Sequence, residues 1–166
     1  MALNAYLILK GQKQGEIKGS VTQKGREGTI LVFQVDHPIS VPFSPDSGQA
    51  AGKRSHKPFV IFKEIDKATV PLYAALASNE NLSLWELRFW RPKQIGRGAG
   101  VEYQYFTIKL TNARVASVRL VKPNTFDPTL NKMPDYEEVA FTYQKIEWTW
   151  TDGGITAMDD WESPVV

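Results

Sequence analysis

Glu137-Glu-Val-Ala-Phe-Thr-Tyr-Gln-Lys-Ile-Glu-Trp-Thr-Trp-Thr-Asp-Gly-Gly154 alternates apolar and polar residues along most of its length. Alternation of this kind marks a strand with one wet face, because successive side chains point to opposite sides. The apolar set stands at odd positions first (Val139, Phe141, Tyr143) and at even positions afterwards (Ile146, Trp148, Trp150). The switch predicts either a bulge near Gln144 and Lys145 or a stretch buried on both faces. Either reading offers more apolar surface than one small barrel hides, and so points to a subunit of an assembly.

Outward from this segment, runs rich in branched and aromatic residues recur between turn signals, which argues for an all-β body. The expected strands are Leu3–Lys10, Ile17–Gln23, Thr29–Asp36, His56–Lys63, Ser83–Arg91, Glu102–Leu110, Ala113–Val121 and Glu137–Thr151. One segment, residues 66–78, breaks the period and predicts a single short helix. Asp66 or Thr69 can cap its start, Pro71 is tolerated in its first turn, and Leu72, Ala75 and Leu76 form an apolar stripe. That helix is expected on a flank or an open end of the β-body.

Two connections are long. Residues 38–54 contain Pro38, Pro42, Pro45, Gly48 and Gly52, yet also Ile39, Val41 and Phe43, too apolar for a solvated linker. An arm that packs on a neighbour accounts for that composition. The second, residues 122–135, contains Pro123, Pro128 and Pro134. Loops of this length inside a compact domain are functional or disordered as a rule.

The chain has 166 residues and reads as a single domain, 1–166, long enough for a substantial core. Its net charge of +2 is spread without runs of one sign, so no nucleic-acid groove is indicated. Cysteine is absent, which excludes disulfides, thiol nucleophiles and cysteine metal sites. No apolar run approaches the ~20 residues that span a bilayer, and residues 1–10 read as a strand, not a signal peptide. Membrane insertion is therefore not expected, and export would proceed without a cleaved signal.

The residues offer little catalytic chemistry. His37 adjoins Asp36, but neighbours on a strand face opposite ways; His56 stands among cations, and the two have no metal-ligand spacing. Asp159, Asp160 and Glu162 flank Trp161 in what reads as a solvated tail, with Trp161 docking into the body. Gly96-Arg-Gly-Ala-Gly100 is followed by a strand, so it joins two strands and makes no phosphate cradle. No metal, no cofactor and no enzyme activity are expected. Trp85, Phe89, Trp148, Trp150 and Trp161 are expected as core or subunit-interface aromatics. The competing reading is a monomeric β-sandwich carbohydrate-binding module that uses Trp148 and Trp150 as a platform.

Across nearly the whole chain the residues also resemble the haemolysin-coregulated proteins (Hcp), tube subunits of bacterial type VI secretion. The resemblance rests on Gly15-Glu-Ile-Lys-Gly-Ser-Val21, Gly52-Lys-Arg-Ser-His-Lys-Pro-Phe59 and Phe62-Lys-Glu-Ile-Asp-Lys-Ala-Thr-Val-Pro-Leu72. It continues, in order, through Phe89-Trp-Arg-Pro92, Tyr105-Phe-Thr-Ile-Lys-Leu110, Tyr143-Gln-Lys-Ile-Glu-Trp-Thr-Trp150 and Asp152-Gly-Gly154. The resemblance implies a β-barrel built from two sheets with the helix on its flank. It further implies hexameric rings that stack into a tube, a spike protein at the tip, a surrounding contractile sheath, and small effector proteins in the lumen. Assembly in the bacterial cytoplasm followed by secretion, and no catalysis, are implied as well. Within that picture Phe43, Gly48 and Gly52 of the arm, and Gly96 and Gly98 of the glycine loop, are the expected ring or tube contacts.

Overall fold

A computed structural model describes residues 2–93 and 100–162. In chain order the elements are β1 (Ala5–Gly11), β2 (Gly15–Ile17), β3 (Ile30–Val32), β4 (Gln34–Asp36), β5 (Ile39–Ser40), β6 (Ser55–His56) and β7 (Phe59–Glu64). The helix α1 (Thr69–Ser78) follows, then β8 (Leu82–Lys93), β9 (Val101–Thr111), β10 (Arg114–Val121), β11 (Tyr136–Thr142), β12 (Lys145–Trp150) and β13 (Ile155–Asp160). The body is two antiparallel sheets. One has the order β13-β12-β9-β8-β1-β2 with β3 also on β1; the other has the order β10-β11-β7-β4. The all-β architecture with one helix is the expected one. The sheets remain two hydrogen-bonded ladders, not one continuous closed barrel.

The parity switch of the decisive segment has a cause that neither expectation named. Residues 137–151 are not one strand: β11 belongs to the smaller sheet and β12 to the larger, and Tyr143 and Gln144 step between them. Val139 and Phe141 enter the interior from one wall, and Ile146 and Trp148 enter it from the other. The change of sheet accounts for the switch without a bulge and without surplus apolar surface, although β11 is itself buried on both faces from Val139 to Phe141. Residues 29–36 behave alike. β3 pairs with β1, β4 pairs with β7, and at the corner the Phe33 amide donates to the Phe62 carbonyl at 3.0 Å. Strands that change sheets at a corner are how two crossing sheets share one core.

That core is centred on Trp85, whose ring meets Phe59 edge-on at 4.9 Å and Phe141 at 5.6 Å. Leu7, Leu9, Leu87, Ile108, Leu110 and Ile146 of the larger sheet close over Ile61, Val139 and Val115 of the smaller. Each such side chain removed from water contributes about 1.5–3 kcal/mol. α1 packs against β10 and joins the core, burying Leu72 and Ala75. Its start is not capped as expected: Ala68 holds the cap position without a side-chain bond, while Asp66 Oδ1 accepts from the Ala68 amide one turn earlier. Among the described residues no helix is long and apolar enough to cross a membrane.

Two further expectations change. The strand expected over Ile17–Gln23 ends at Ile17, because the next residues fold into a loop on the outer face of the larger sheet. There Arg26 stacks over Trp90 at 3.8 Å and Tyr6 at 4.7 Å and pairs with Glu102 at 2.6 Å. The tail is ordered as a strand, with residues 155–158 still exposed: β13 pairs with β12 from Lys145↔Asp160 to Trp150↔Ile155.

In the smaller sheet Lys63 and Glu137 are cross-strand partners with no exposed side-chain surface. Lys63 Nζ stands 2.5 Å from Glu137 Oε1 and 2.8 Å from Asp66 Oδ1, and donates to the Glu64 carbonyl at 2.9 Å. The lysine thereby ties two strands to the turn that starts α1. Removing one partner of such a pair strands a buried charge. Lys63→Ala is expected to cost about 3–5 kcal/mol, read from urea denaturation, whereas the paired change Lys63→Met with Glu137→Leu recovers most of it.

Candidate assembly surface

Register places the expected arm at one end of the body. Phe59 is opposite Phe141 and Lys145 is opposite Thr111, so the segment preceding Phe59 emerges beside Gln144 and Asn112. The opposite end carries Lys93, Val101, the Thr151–Gly154 turn and the connection 122–135.

Residues 38–57 form a hairpin. Ile39 is opposite His56, Ser40 opposite Ser55, and Phe43 bridges to Ala50. The Ala51 amide donates to the Pro42 carbonyl at 2.8 Å, and the tip closes through Ser44 N to Gln49 O, also 2.8 Å. Gly48, whose amide donates to Ser44 O, has φ of 68°, a region that L side chains rarely adopt. At Gly52 an added Cβ would stand 3.0 Å from the Pro42 ring, so the two arms of the hairpin leave little room for one. Ile39, Val41 and Phe43 fall at alternate positions, hence on one side, and all are exposed, Phe43 to 66%.

The root of the arm is fastened. Arg54 Nε donates to Asp159 Oδ2 at 2.5 Å and its Nη2 to the Asp160 carbonyl at 2.8 Å, joining the returning strand to β13. The buried His56 side chain lies between Asp159 and the Tyr143 hydroxyl, 2.7 Å from each. The Arg54 hydrogen bond holds the Asp159 carboxyl below its usual range against the opposing effect of burial, with His56 assisting. Asp159 was read from sequence as solvated and His56 as a strand-opening residue among cations. The sequence signal that could have joined them was a cation, a histidine and two carboxylates flanking the arm and the last strand, which only the fold brings together.

Of the other expected contacts, Gly96 and Gly98 lie outside the described residues. Trp85 is core, and Phe89 and Trp148 pack half-buried against it, so Trp148 and Trp150 do not make a flat platform. Trp150 stands at the far end beside Tyr105, 5.8 Å between ring centres, with Arg91 over both rings. Val101, Ile155 and Phe126 expose apolar surface at that end, Phe126 to 95%. Trp161 is half-exposed and donates its indole N–H to the Tyr143 carbonyl.

The end face from which the arm leaves is stiffened by Glu80. This buried carboxylate accepts from the amides of Lys13 and Gln14 at 2.6 and 2.8 Å and from the Gln14 side chain at 2.6 Å. Burial pushes its pKa up, but these bonds outweigh burial and hold it below the ordinary 4.5. A carboxyl lowered on folding contributes stability that is complete above its ordinary value and lost as pH falls through the lowered one. Glu80→Gln is therefore expected to lower the urea midpoint at neutral pH, and the difference between the two proteins shrinks as pH falls below 4.5.

Comparison with known proteins gives a consistent result. Residues 6–150 match the family model described as type VI secretion system effector, Hcp. The chain is 37% identical over 174 aligned positions to the major exported protein of Pseudomonas aeruginosa, covering 99% of both. Among solved structures, a crystal structure of an Hcp protein aligns over 97% of this chain and 99% of its own, with a TM-score of 0.87 and 29% identity. The Hcp1 protein of an E. coli EAEC pathovar aligns over 96% and 99%, with a TM-score of 0.83 and 34% identity. The secreted protein Hcp3 of P. aeruginosa aligns over 96% and 99%, with a TM-score of 0.77 and 31% identity.

Proposed function

Because the chain belongs to the Hcp family of type VI secretion proteins, we propose that it is a subunit of the secretion tube, closing into hexameric rings that stack and are exported. A spike protein caps the tip in this reading, a contractile sheath surrounds the tube, and the ring carries and chaperones small effector proteins. Assembly takes place in the bacterial cytoplasm and the tube leaves through the secretion apparatus. The role is mechanical and asks for shape and stiffness; no catalytic step is assigned.

The observation that carries this reading is the arm. Three apolar side chains, Ile39, Val41 and Phe43, stand exposed on one side of a hairpin whose root is fastened by charged hydrogen bonds. Exposed apolar surface on an ordered, anchored element marks a contact with another molecule. The opposite end of the body offers Val101, Ile155 and Phe126, so a head-to-tail neighbour meets apolar surface with apolar surface. A contact between unlike ends or sides is heterologous, and it closes into rings or continues as filaments.

Light scattering on a sizing column should give a mass near six times the 18.7 kDa chain, with ring-shaped particles in negative stain. A monomer at high concentration would overturn the ring reading. Phe43→Ser and Gly48→Val are each expected to weaken ring or tube association about tenfold or more. The melting temperature of Phe43→Ser should stay near that of the parent, since its side chain is exposed on the arm, whereas Gly48→Val also strains the positive-φ turn at the tip. Equal loss of thermal stability and of association would remove the arm from the contact.

A further inference from the structure

The arm root contains a relay of hydrogen bonds that association does not require. His37 Nε2 and His56 Nδ1 each stand 2.7 Å from a single hydroxyl, that of Tyr143, and His56 Nε2 stands 2.7 Å from Asp159 Oδ2. His37 closes β4 where the arm leaves, His56 lies on the strand by which it returns, and Tyr143 sits in the crossing between sheets. The relay thus clasps both strands of the arm to the body.

Its protons can be counted. Asp159 accepts as a carboxylate, so His56 Nε2 carries hydrogen. With both rings neutral, His56 Nδ1 takes the phenolic hydrogen of Tyr143, and the Tyr143 oxygen accepts from His37 Nε2–H. One added proton is accommodated by reversal: His56 Nδ1–H donates to the Tyr143 oxygen, and the phenol donates to His37 Nε2. His37 is then the other tautomer, its one hydrogen on Nδ1 and directed to the Lys57 backbone, with which the ring already interacts. A second proton has no place. Both rings would aim N–H groups at one oxygen, the phenolic hydrogen would lose its acceptor, and two cations would flank it. An orphaned buried donor is destabilising, because it has given up its bond to water without replacing it.

We propose that the His37–Tyr143–His56–Asp159 relay is an acid-released latch, which holds the arm to the body until both histidines carry a proton. Other groups around it agree. Burial beside the Phe59 ring, 4.7 Å away, and the charge of His56 keep the His37 imidazole below its ordinary 6.5, with the Lys57 backbone and Asp36 opposing in part. A histidine lowered on folding gives stability that is complete above pH 6.5 and is lost as pH falls through the lowered value. Asp159, already below its ordinary 3.8 and paired with Arg54, stays ionised across that window. The histidines therefore set the release, which loosens the strand that leaves at His37 while Arg54 still holds the returning strand to β13.

The chain has no cysteine, so Ser47→Cys places a single spin label at the arm tip. The spectrum should be immobilised near pH 7.5 and become severalfold more mobile near pH 5. His37→Gln keeps a donor at the ring-nitrogen position but cannot take the second proton, and should hold the arm at both pH values. Tyr143→Phe removes the shared hydroxyl and should leave the arm mobile at both. No mobility change in the parent between the two pH values, or a change that persists in His37→Gln, would overturn the latch. The measurement is made on the monomer fraction, where no neighbour holds the arm, and a monomer without the step sinks the latch while leaving the assembly reading intact.

Discussion

One apolar interior must be reached from two sheets by a chain that changes sheet in mid-course at Asn112–Ala113 and, on either side of the arm root, at Phe33 and at Tyr143–Gln144. The two corners beside the arm root position the arm. The first delivers β4 to the smaller sheet and so fixes where the arm departs. The second carries Tyr143 past the arm root and lays β12 where β13 can pair with it. The arm is therefore held between those two corners, and its attachment inherits the rigidity of the sheets without sharing their core.

The buried ion pair shows how the fold separates these duties. Lys63 and Glu137 sit opposite each other in the middle of the smaller sheet, and Asp66 and Thr69 complete the polar cluster at the start of α1. Such a pair adds little net stability over an apolar substitute, because desolvation consumes most of the attraction. What it does supply is direction: only one register of β7 against β11, and one placement of the helix start, satisfies the charge. The same economy does not govern Arg54 and Asp159, which are partly exposed and cost less to bring together.

Much of the fold was legible, and the failures are informative. Strand faces such as Trp85, Leu87 and Phe89 announced an inside, and they pack inward as read. The helix stripe of Leu72, Ala75 and Leu76 was equally plain. The parity switch at Gln144–Lys145 was visible but misassigned, because alternation reports which side of a strand is dry and not which wall of the interior the strand belongs to. The apolar arm was read from Ile39, Val41 and Phe43 standing among prolines and glycines, a combination with no place in a core or a linker. The relay was not readable, because His37, His56, Tyr143 and Asp159 meet only through long-range pairing, with no spacing to announce it. His37 and Tyr143 are 106 residues apart.

The arm is anchored by polar bonds at its root and presents apolar residues along its length, the reverse of the body, and the consequence is energetic. A hydrogen bond of the relay contributes about 0.5–1.5 kcal/mol net, somewhat more where a charge is involved, against about 5–15 kcal/mol for a whole domain. The arm can therefore open as a local unit while the sheets remain intact. An apolar anchor would respond to temperature with the rest of the core, and could not be loosened by a proton. A polar root makes the attachment of the arm sensitive to its surroundings while leaving the apolar row free for a neighbour. An element that must meet another copy and later part from it benefits from both properties, and the body, which lends the buried Tyr143 to the relay, provides the stiffness.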